Sequence, residues 1–276
     1  MTRWRRDLDL VVPLWQGGDD VGLADGAFRL AAAIDKAPSR CEVVVPAAGS
    51  EAVEGVKHLA TVASALDDSR EVLREHDPTR ILTLGGDCSV EVPPIEHLST
   101  KHKGLVVFWV DAHGDLNTPD TSPSGTAHGM PLRLLLGQGH ARLAPRSGRT
   151  ITPAQVVLVG VRSLDPAEAD LIAGSHMRHV TVGSIDIDPR SAARSATPNS
   201  SVYIHLDLDV TDPRLFPSVS CPTEGGMGIE TLGATLAAIH ESHDVVGIGI
   251  TEYAPVVPHS QGALSPILAA LRLAPG

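Results

Sequence analysis

Apolar residues in this chain gather into short dense runs, separated by longer stretches where they recur every three or four positions. Seven runs read as strands: Leu8 to Leu14, Glu42 to Val45, Arg80 to Leu84, Gly104 to Val110, Val156 to Val161, Val202 to Leu208 and Val245 to Ile250. Several are almost unbroken Val, Ile and Leu, the composition of strands covered on both faces, as in a parallel sheet. Between them the spacing predicts helices over Val21 to Ile34, Leu59 to Arg74, Pro166 to Ala173, Glu230 to Glu241 and Ala263 to Leu273. In the second of these, the stretch Thr61 to Leu66 together with Val72 and Leu73 makes an apolar face. Alternating strands and helices predict an α/β fold around a mostly parallel sheet.

Two stretches rich in Pro, Gly, Ser and Arg, Arg142 to Pro153 and Asp188 to Ser200, read as exposed loops. The chemical motifs fall on both sides of both loops, so residues 1–276 are read as one catalytic domain.

Composition narrows the class. Hydrophobic residues make up 42% and charged residues 20%, as in ordinary globular proteins. Twenty-two basic against 33 acidic side chains give a net charge of −11, the wrong sign for a phosphate-backbone binder. Three cysteines, Cys41, Cys88 and Cys221, are too few for a disulfide scaffold and fit a reducing, cytoplasmic setting. No apolar run approaches the roughly 20 residues needed to span a bilayer. The basic start Met1 to Arg6 leads into Asp7-Leu8-Asp9, not into a signal-type apolar segment. Neither a nucleic acid nor a membrane is therefore expected as a partner. What composition leaves open is the use of 13 histidines, a hint of metal or proton chemistry.

The chemistry concentrates where strands end. Asp111-Ala112-His113-Gly114-Asp115-Leu116-Asn117 directly follows the apolar strand ending at Val110. Alternation along a strand puts Asp111, His113 and Asp115 on one face, at the carboxyl edge where open α/β sheets bind ligands. A second strand runs into His205-Leu206-Asp207-Leu208-Asp209-Val210-Thr211-Asp212-Pro213. Two carboxylates in an apolar run are costly unless paired or bound to a cation. Asp212 reads as a capping residue before Pro213, and His205 as either a support behind the site or a core histidine. Two further strand ends bring Gly85-Gly86-Asp87-Cys88-Ser89 and Thr251-Glu252-Tyr253 to the same edge.

Asp111, His113, Asp115, Asp207 and Asp209 supply four carboxylates and one imidazole, with Cys88 as a sixth candidate. Closed Cys/His spacing of the structural-zinc kind is absent. Hard carboxylates with an imidazole suit Mn²⁺ or a similar divalent ion. Four carboxylates suffice to hold two ions about 3.5–4 Å apart and to bring a water's pKa near neutrality, which points to metal-assisted hydrolysis.

These motifs resemble those of the arginase (ureohydrolase) family. The family's Gly-Gly-Asp-His-Ser turn, Asp-Ala-His-x-Asp-x-Asn strand end, His-Gly pair and Asp-x-Asp-x-x-Asp-Pro strand end stand here as Gly85 to Ser89, Asp111 to Asn117, His128-Gly129 and Asp207 to Pro213. The resemblance implies a three-layer α/β/α sandwich and a binuclear manganese site. By that resemblance Asp111 and Asp207 bridge the two ions, Asp115 and Cys88 complete one, and His113 with Asp209 the other. His128 takes the part of the proton shuttle, and Asp115 is counted with the catalytic group. Glu252 would hold the substrate guanidinium through two parallel hydrogen bonds. Asn117 and Ser124 match residues that bind the substrate α-carboxylate, and Asp165 and Glu168 those that receive the α-ammonium, which implies an α-amino acid substrate. The alternative for Asp165 is a plain helix start before Pro166.

Position 88 departs from the pattern: the family carries His where this chain has Cys. A thiolate is a softer ligand than Mn²⁺ prefers, so two ions of unequal affinity are expected. A similar exchange marks the Nω-hydroxy-L-arginine hydrolases of D-cycloserine biosynthesis, which release hydroxyurea and L-ornithine. The resemblance thus implies Nω-hydroxy-L-arginine first and L-arginine second, and it allows a homo-oligomer. The competing classes are a non-catalytic arginase-like binding protein and a one-metal, deacetylase-like zinc hydrolase. The remaining histidines, His58, His76, His97, His102, His140, His176, His179, His240, His243 and His259, are expected at the surface, Cys41 in the core and Cys221 near the site.

Overall fold

The computed structural model describes residues 3–46, 51–255 and 261–274. Its strands are β1 (Leu8–Val12), β2 (Ser39–Glu42), β3 (Ala52–Val53), β4 (Val56–Lys57), β5 (Ile81–Gly85), β6 (Val106–Val110), β7 (Val156–Val159), β8 (Arg178–Val180), β9 (Ser201–Asp207) and β10 (Asp244–Thr251). The helices are α1 (Gly22–Ala33), α2 (Leu59–His76), α3 (Val92–Lys101), α4 (Pro131–Leu135), α5 (Pro166–Ala173), α6 (Val182–Ile187), α7 (Ile229–Ser242) and α8 (Leu264–Ala270). No helix among these residues is long and apolar enough to cross a membrane.

Eight strands pair in parallel in the order β2-β1-β5-β10-β9-β6-β7-β8, and β3 with β4 forms a separate small antiparallel pair. The central strands are apolar along their length because both faces are covered. All five residues of β6, Val106-Val107-Phe108-Trp109-Val110, are buried. Side chains alternate between the faces. Phe108, Val110, Ile204 and Leu206 pack with Leu30 of α1, Leu236 of α7 and Ile267 of α8. Val107, Trp109 and Tyr203 pack on the other side with Leu66 of α2, Leu98 of α3 and Leu132 of α4. The result is the parallel α/β fold expected from the alternation, layered as the α/β/α sandwich that the family resemblance implies.

The differences from the sequence reading lie where polarity misleads. Helix α3, which follows the Asp87 turn, has no range among the helices that the spacing predicts; it starts on Val92-Pro93-Pro94, where proline at the first helical positions removes only donors that have no intrahelical acceptor. The edge strand β8 is short and half exposed, and β2 occupies Ser39–Glu42 in place of the apolar Glu42 to Val45. Three histidines expected at the surface are buried: His58, His240 and His243. His259 lies outside the described residues. Cys41 sits half-buried on the edge strand β2, its Sγ 3.5 Å from His76 Nε2, and is not a core residue.

Candidate metal centre and active-site cleft

Four adjacent strands in the middle of the sheet, β5, β10, β9 and β6, end at one edge. Three of them end on the same local device. Asp87 accepts the Ser89 amide (2.9 Å), Asp111 the His113 amide (2.6 Å) and Asp207 the Asp209 amide (2.7 Å). Each is an aspartate turning the chain through a hydrogen bond two residues on. The turn lifts Cys88, His113 and Asp209 over the sheet edge. The fourth strand, β10, ends at Glu252 with φ 61°, and the loop after β6 sets Asp115 at φ 51°. Left-handed backbone at a non-glycine residue costs on the order of 1–3 kcal/mol and persists where the surroundings enforce it.

The side chains meet in three overlapping clusters. Asp111, His113 and Asp209 form one: His113 Nδ1 is 2.9 Å from Asp209 Oδ2 and 3.6 Å from Asp111 Oδ1. Asp209 Oδ1 also accepts the Ala112 amide at 3.1 Å, which ties the β9 turn to the β6 turn. Cys88 belongs to both of the others: with Asp207 and Glu252 in one, its Sγ 3.1 Å from Asp207 Oδ2 and 3.1 Å from Thr251 Oγ1, and with Asp111, Asp115 and His205 in the next. The candidate ligand atoms of each cluster lie within 4.8 Å of one another. The structure therefore brings together all six residues singled out as metal ligands.

The electrostatics follow from crowding acids under the surface. Burial and then Asp209 push the Asp207 carboxyl well above the usual range. Burial and Asp111 do the same to Asp115, and burial with Asp111 raises Asp209 to about 6. Burial also opposes the charge of Asp111, but the neighbouring His113 and His205 imidazoles outweigh it and hold that carboxyl low. For His113, burial is outweighed by Asp111 and Asp209, which push the imidazole up to about 12. Burial, then Asp207, raises the Cys88 thiol. Asp115 Oδ2 and Glu252 Oε2 are buried without a hydrogen-bond partner. Buried carboxylates with open lone pairs, one thiol and imidazoles, all at ligand spacing, are a donor set that fits divalent cations.

The clusters floor a cavity of about 130 Å³. Glu252 is 1% exposed; its Oε1 accepts the Cys88 amide at 3.0 Å and lies 3.2 Å from His128 Nδ1. Oε1 is thus already engaged by one backbone donor, while Oε2 has no partner. His128 lines the cavity, its backbone amide bonded to the Gly17 carbonyl at 3.0 Å. Burial lowers its pKa, but Glu252 outweighs that and raises it. Gly17 in turn donates to Asp87 Oδ2 (2.9 Å), and a Cβ there would come within 2.5 Å of that carboxylate.

Asn117, Ser124, Asp165 and Glu168 form the cavity's other wall. Asn117 Nδ2 donates to Asp165 Oδ2 at 2.8 Å, and Ser124 Oγ lies 2.6 Å from Thr126 Oγ1. Glu168 is first a clamp: Oε1 accepts the Leu116 amide and Oε2 the Asp165 amide, both at 2.9 Å. It closes the start of α5 and holds the metal-side loop against it, leaving one lone pair per oxygen for the cavity. Cys221 lines the cavity as anticipated, at φ 56°. Ser122 and Thr126, and Gly129 of the His-Gly pair, also line it, though the sequence assigns none of them a contact of its own.

The profile of the arginase family matches residues 28–273. An arginase of Staphylococcus aureus (strain MRSA252) is 33% identical over 186 residues, 65% of this chain and 62% of that protein. The chain thus matches less than two thirds of the relative's length. The native arginase of Bacillus caldovelox superposes with a TM-score of 0.86 at 27% identity, over 97% of each chain. The Entamoeba histolytica arginase in complex with L-ornithine gives the same TM-score, 0.86, at 23% identity over 98% of each chain, a likeness of fold. With a family match over nearly the whole chain and the strand-end motifs gathered in one cleft, the chain belongs to the arginase family.

Proposed function

We propose that residues 1–276 form one catalytic unit, a binuclear-manganese hydrolase that cleaves the guanidino C–N bond of an arginine-like α-amino acid. Nω-hydroxy-L-arginine, giving L-ornithine and hydroxyurea, is the preferred substrate; L-arginine, giving urea, is the second. The observation that carries this is the two-ended cavity: unpaired acid and metal-type ligands on its floor, Asn117, Ser124 and Asp165 on its wall.

Asp111, Asp207, Cys88, Asp115, His113 and Asp209 would together hold the divalent pair, Asp111 and Cys88 each belonging to two of the overlapping clusters. When bound, a divalent pair supplies the Lewis acidity that makes water nucleophilic near neutral pH. Glu252 Oε2 receives the guanidinium and fixes its carbon over the floor. His128, held by Glu252 with its pKa raised, carries a proton to the departing amine as the C–N bond breaks. Asp165 meets the α-ammonium, with Glu168 holding it in place, and Asn117 and Ser124 meet the α-carboxylate. Cys88 supports the hydroxylated substrate: a thiolate weakens the grip on one Mn²⁺, and N-hydroxylation lowers the guanidinium pKa and eases hydrolysis.

The test is ornithine release by Mn²⁺-loaded protein with Nω-hydroxy-L-arginine, L-arginine and agmatine compared side by side. Preference in that order is expected. Turnover of agmatine alone would overturn the amino-acid reading, and turnover of none would favour a non-catalytic binding protein. Asp165→Asn should raise KM for the amino acids about 10-fold or more, the scale of a hydrogen bond to a charged group, with kcat nearly kept.

A further inference from the structure

Behind the floor of the cleft lies a buried pair that the reaction as described leaves unused. His205 and Glu91 are both fully buried, and His205 Nδ1 and both Glu91 oxygens have no hydrogen-bond partner. They face each other, Nδ1 to Oε2, at 3.8 Å. The other ring nitrogen, Nε2, points into the metal-type cluster, 3.7 Å from Cys88 Sγ and 3.6 Å from Asp111 Oδ2. The last distance is too long for a hydrogen bond. It matches the edge between two ligands of one ion held at roughly 2.1 Å, about 3.5 Å for a tetrahedral set. The ring is fixed: it stacks on Trp109 of the neighbouring strand at 3.7 Å between centroids. Space for Glu91 is also built in, since a Cβ on Gly249, paired with His205 across β10 and β9, would fall 1.9 Å from Glu91 Oε1.

We infer that His205 is a metal ligand through Nε2, completing with Cys88, Asp111 and Asp115 the set around one ion, and that the Glu91 carboxylate facing Nδ1 positions the ring, the 3.8 Å gap closing to a hydrogen bond when the ion is held. A carboxylate behind a ligating histidine fixes the ring's tautomer and orientation. The imidazole missing at position 88 is thereby returned from the strand below, two residues before Asp207 and on the same face. The inference rests on the reading of the cleft as a metal centre, and its test separates the two.

The full chain is loaded with Co²⁺, and the hyperfine-shifted, solvent-exchangeable imidazole N–H signals are counted by proton NMR. Two are expected, from His113 and His205. Two bound ions with a single such signal would overturn this inference alone, whereas no bound ion would overturn the metal reading with it. Equilibrium dialysis against Mn²⁺ alone gives the second arm. Glu91→Gln should weaken one of the two ions about 10–100-fold and leave the other unchanged. His205→Asn should lose that ion, and Cys88→His placed in the His205→Asn background should restore it. Two ions bound with wild-type affinity in both single variants would overturn the assignment.

Discussion

Asp9 and Asp207 are both aspartates on strands of the main sheet, both almost fully removed from water, and the fold treats them oppositely. Asp9, on β1, is 0% exposed and saturated: Arg6 donates to Oδ1, while Arg40 (2.7 and 2.9 Å) and the Ala37 amide (2.9 Å) donate to Oδ2. Asp207, on β9, is 3% exposed and has a thiol and one amide for partners, with Asp209, Asp111 and Glu252 as like-charged neighbours. Around it Asp115, Glu252 and Glu91 keep buried oxygens with no partner. A charge buried for architecture brings its counter-charges with it. A charge buried for chemistry leaves its lone pairs for something that arrives later, and the protein carries the desolvation cost meanwhile.

The contrast is broken most sharply by removing each acid. Asp207→Ala should abolish Mn²⁺ retention and turnover together, with turnover falling on the order of 10³-fold as several kcal/mol of charge stabilisation is lost. In EDTA the same variant should be as stable to urea as the wild type or more so, because a strained like charge has gone. Asp9→Ala should do the reverse. It leaves Arg6 buried without its carboxylate, so unfolding should become easier by about 3–5 kcal/mol while activity per folded molecule is kept. Urea titrations with and without Mn²⁺, beside ornithine release, read all four quantities. If Asp207→Ala destabilised the metal-free protein as much as Asp9→Ala does, the distinction between the two kinds of buried acid would collapse.

The same distinction explains what could be read from the chain beforehand. The metal-type residues were legible because apolar strands stop abruptly on Asp-x-His-x-Asp and Asp-x-Asp, and the cost of such acids admits few explanations. The parallel sandwich was legible from unbroken runs such as Val106 to Val110. The edge was not. The apolar Val43-Val44-Val45 looks more like a strand than Ser39-Arg40-Cys41-Glu42, but Asp9 pairs in register with Arg40 and takes its guanidinium. That ion pair fixes β2 earlier in the chain and leaves Val44 80% exposed. The partnership of His205 with Glu91 was equally hidden, since the two are 114 positions apart in sequence and meet only because β9 pairs with β10 over the turn after β5. A pattern along one strand carries no information about what its neighbours bring to it. Glu168 could be read as a substrate contact because sequence cannot show that its oxygens are engaged by the Leu116 and Asp165 amides.

A smaller effect sharpens the comparison from the opposite end of the sheet. His240, in the last turn of α7, is 7% exposed, packs edge-on against Trp4 at 6.4 Å, and has Arg272 nearby. Burial first, then the Arg272 charge, hold its imidazole down at about 4. The unfolded chain takes up this proton near pH 6.5 and the folded chain only near 4, so stability is complete above about 6.5 and falls with pH between those values. The full span is about 3 kcal/mol at most. The raised carboxyls of the cleft act with the other sign: Asp87, lifted to about 6 by burial and Glu252, favours the metal-free fold at low pH and loses that contribution as pH rises from the ordinary Asp value. The two slopes are separated by His240→Phe, which keeps a ring against Trp4 and cannot titrate. Between pH 4 and 6.5 in EDTA, the urea-unfolding free energy of wild type minus that of the variant should increase with pH. Beyond 6.5 it should be flat; parallel curves throughout would show that His240 does not enter the fold uncharged.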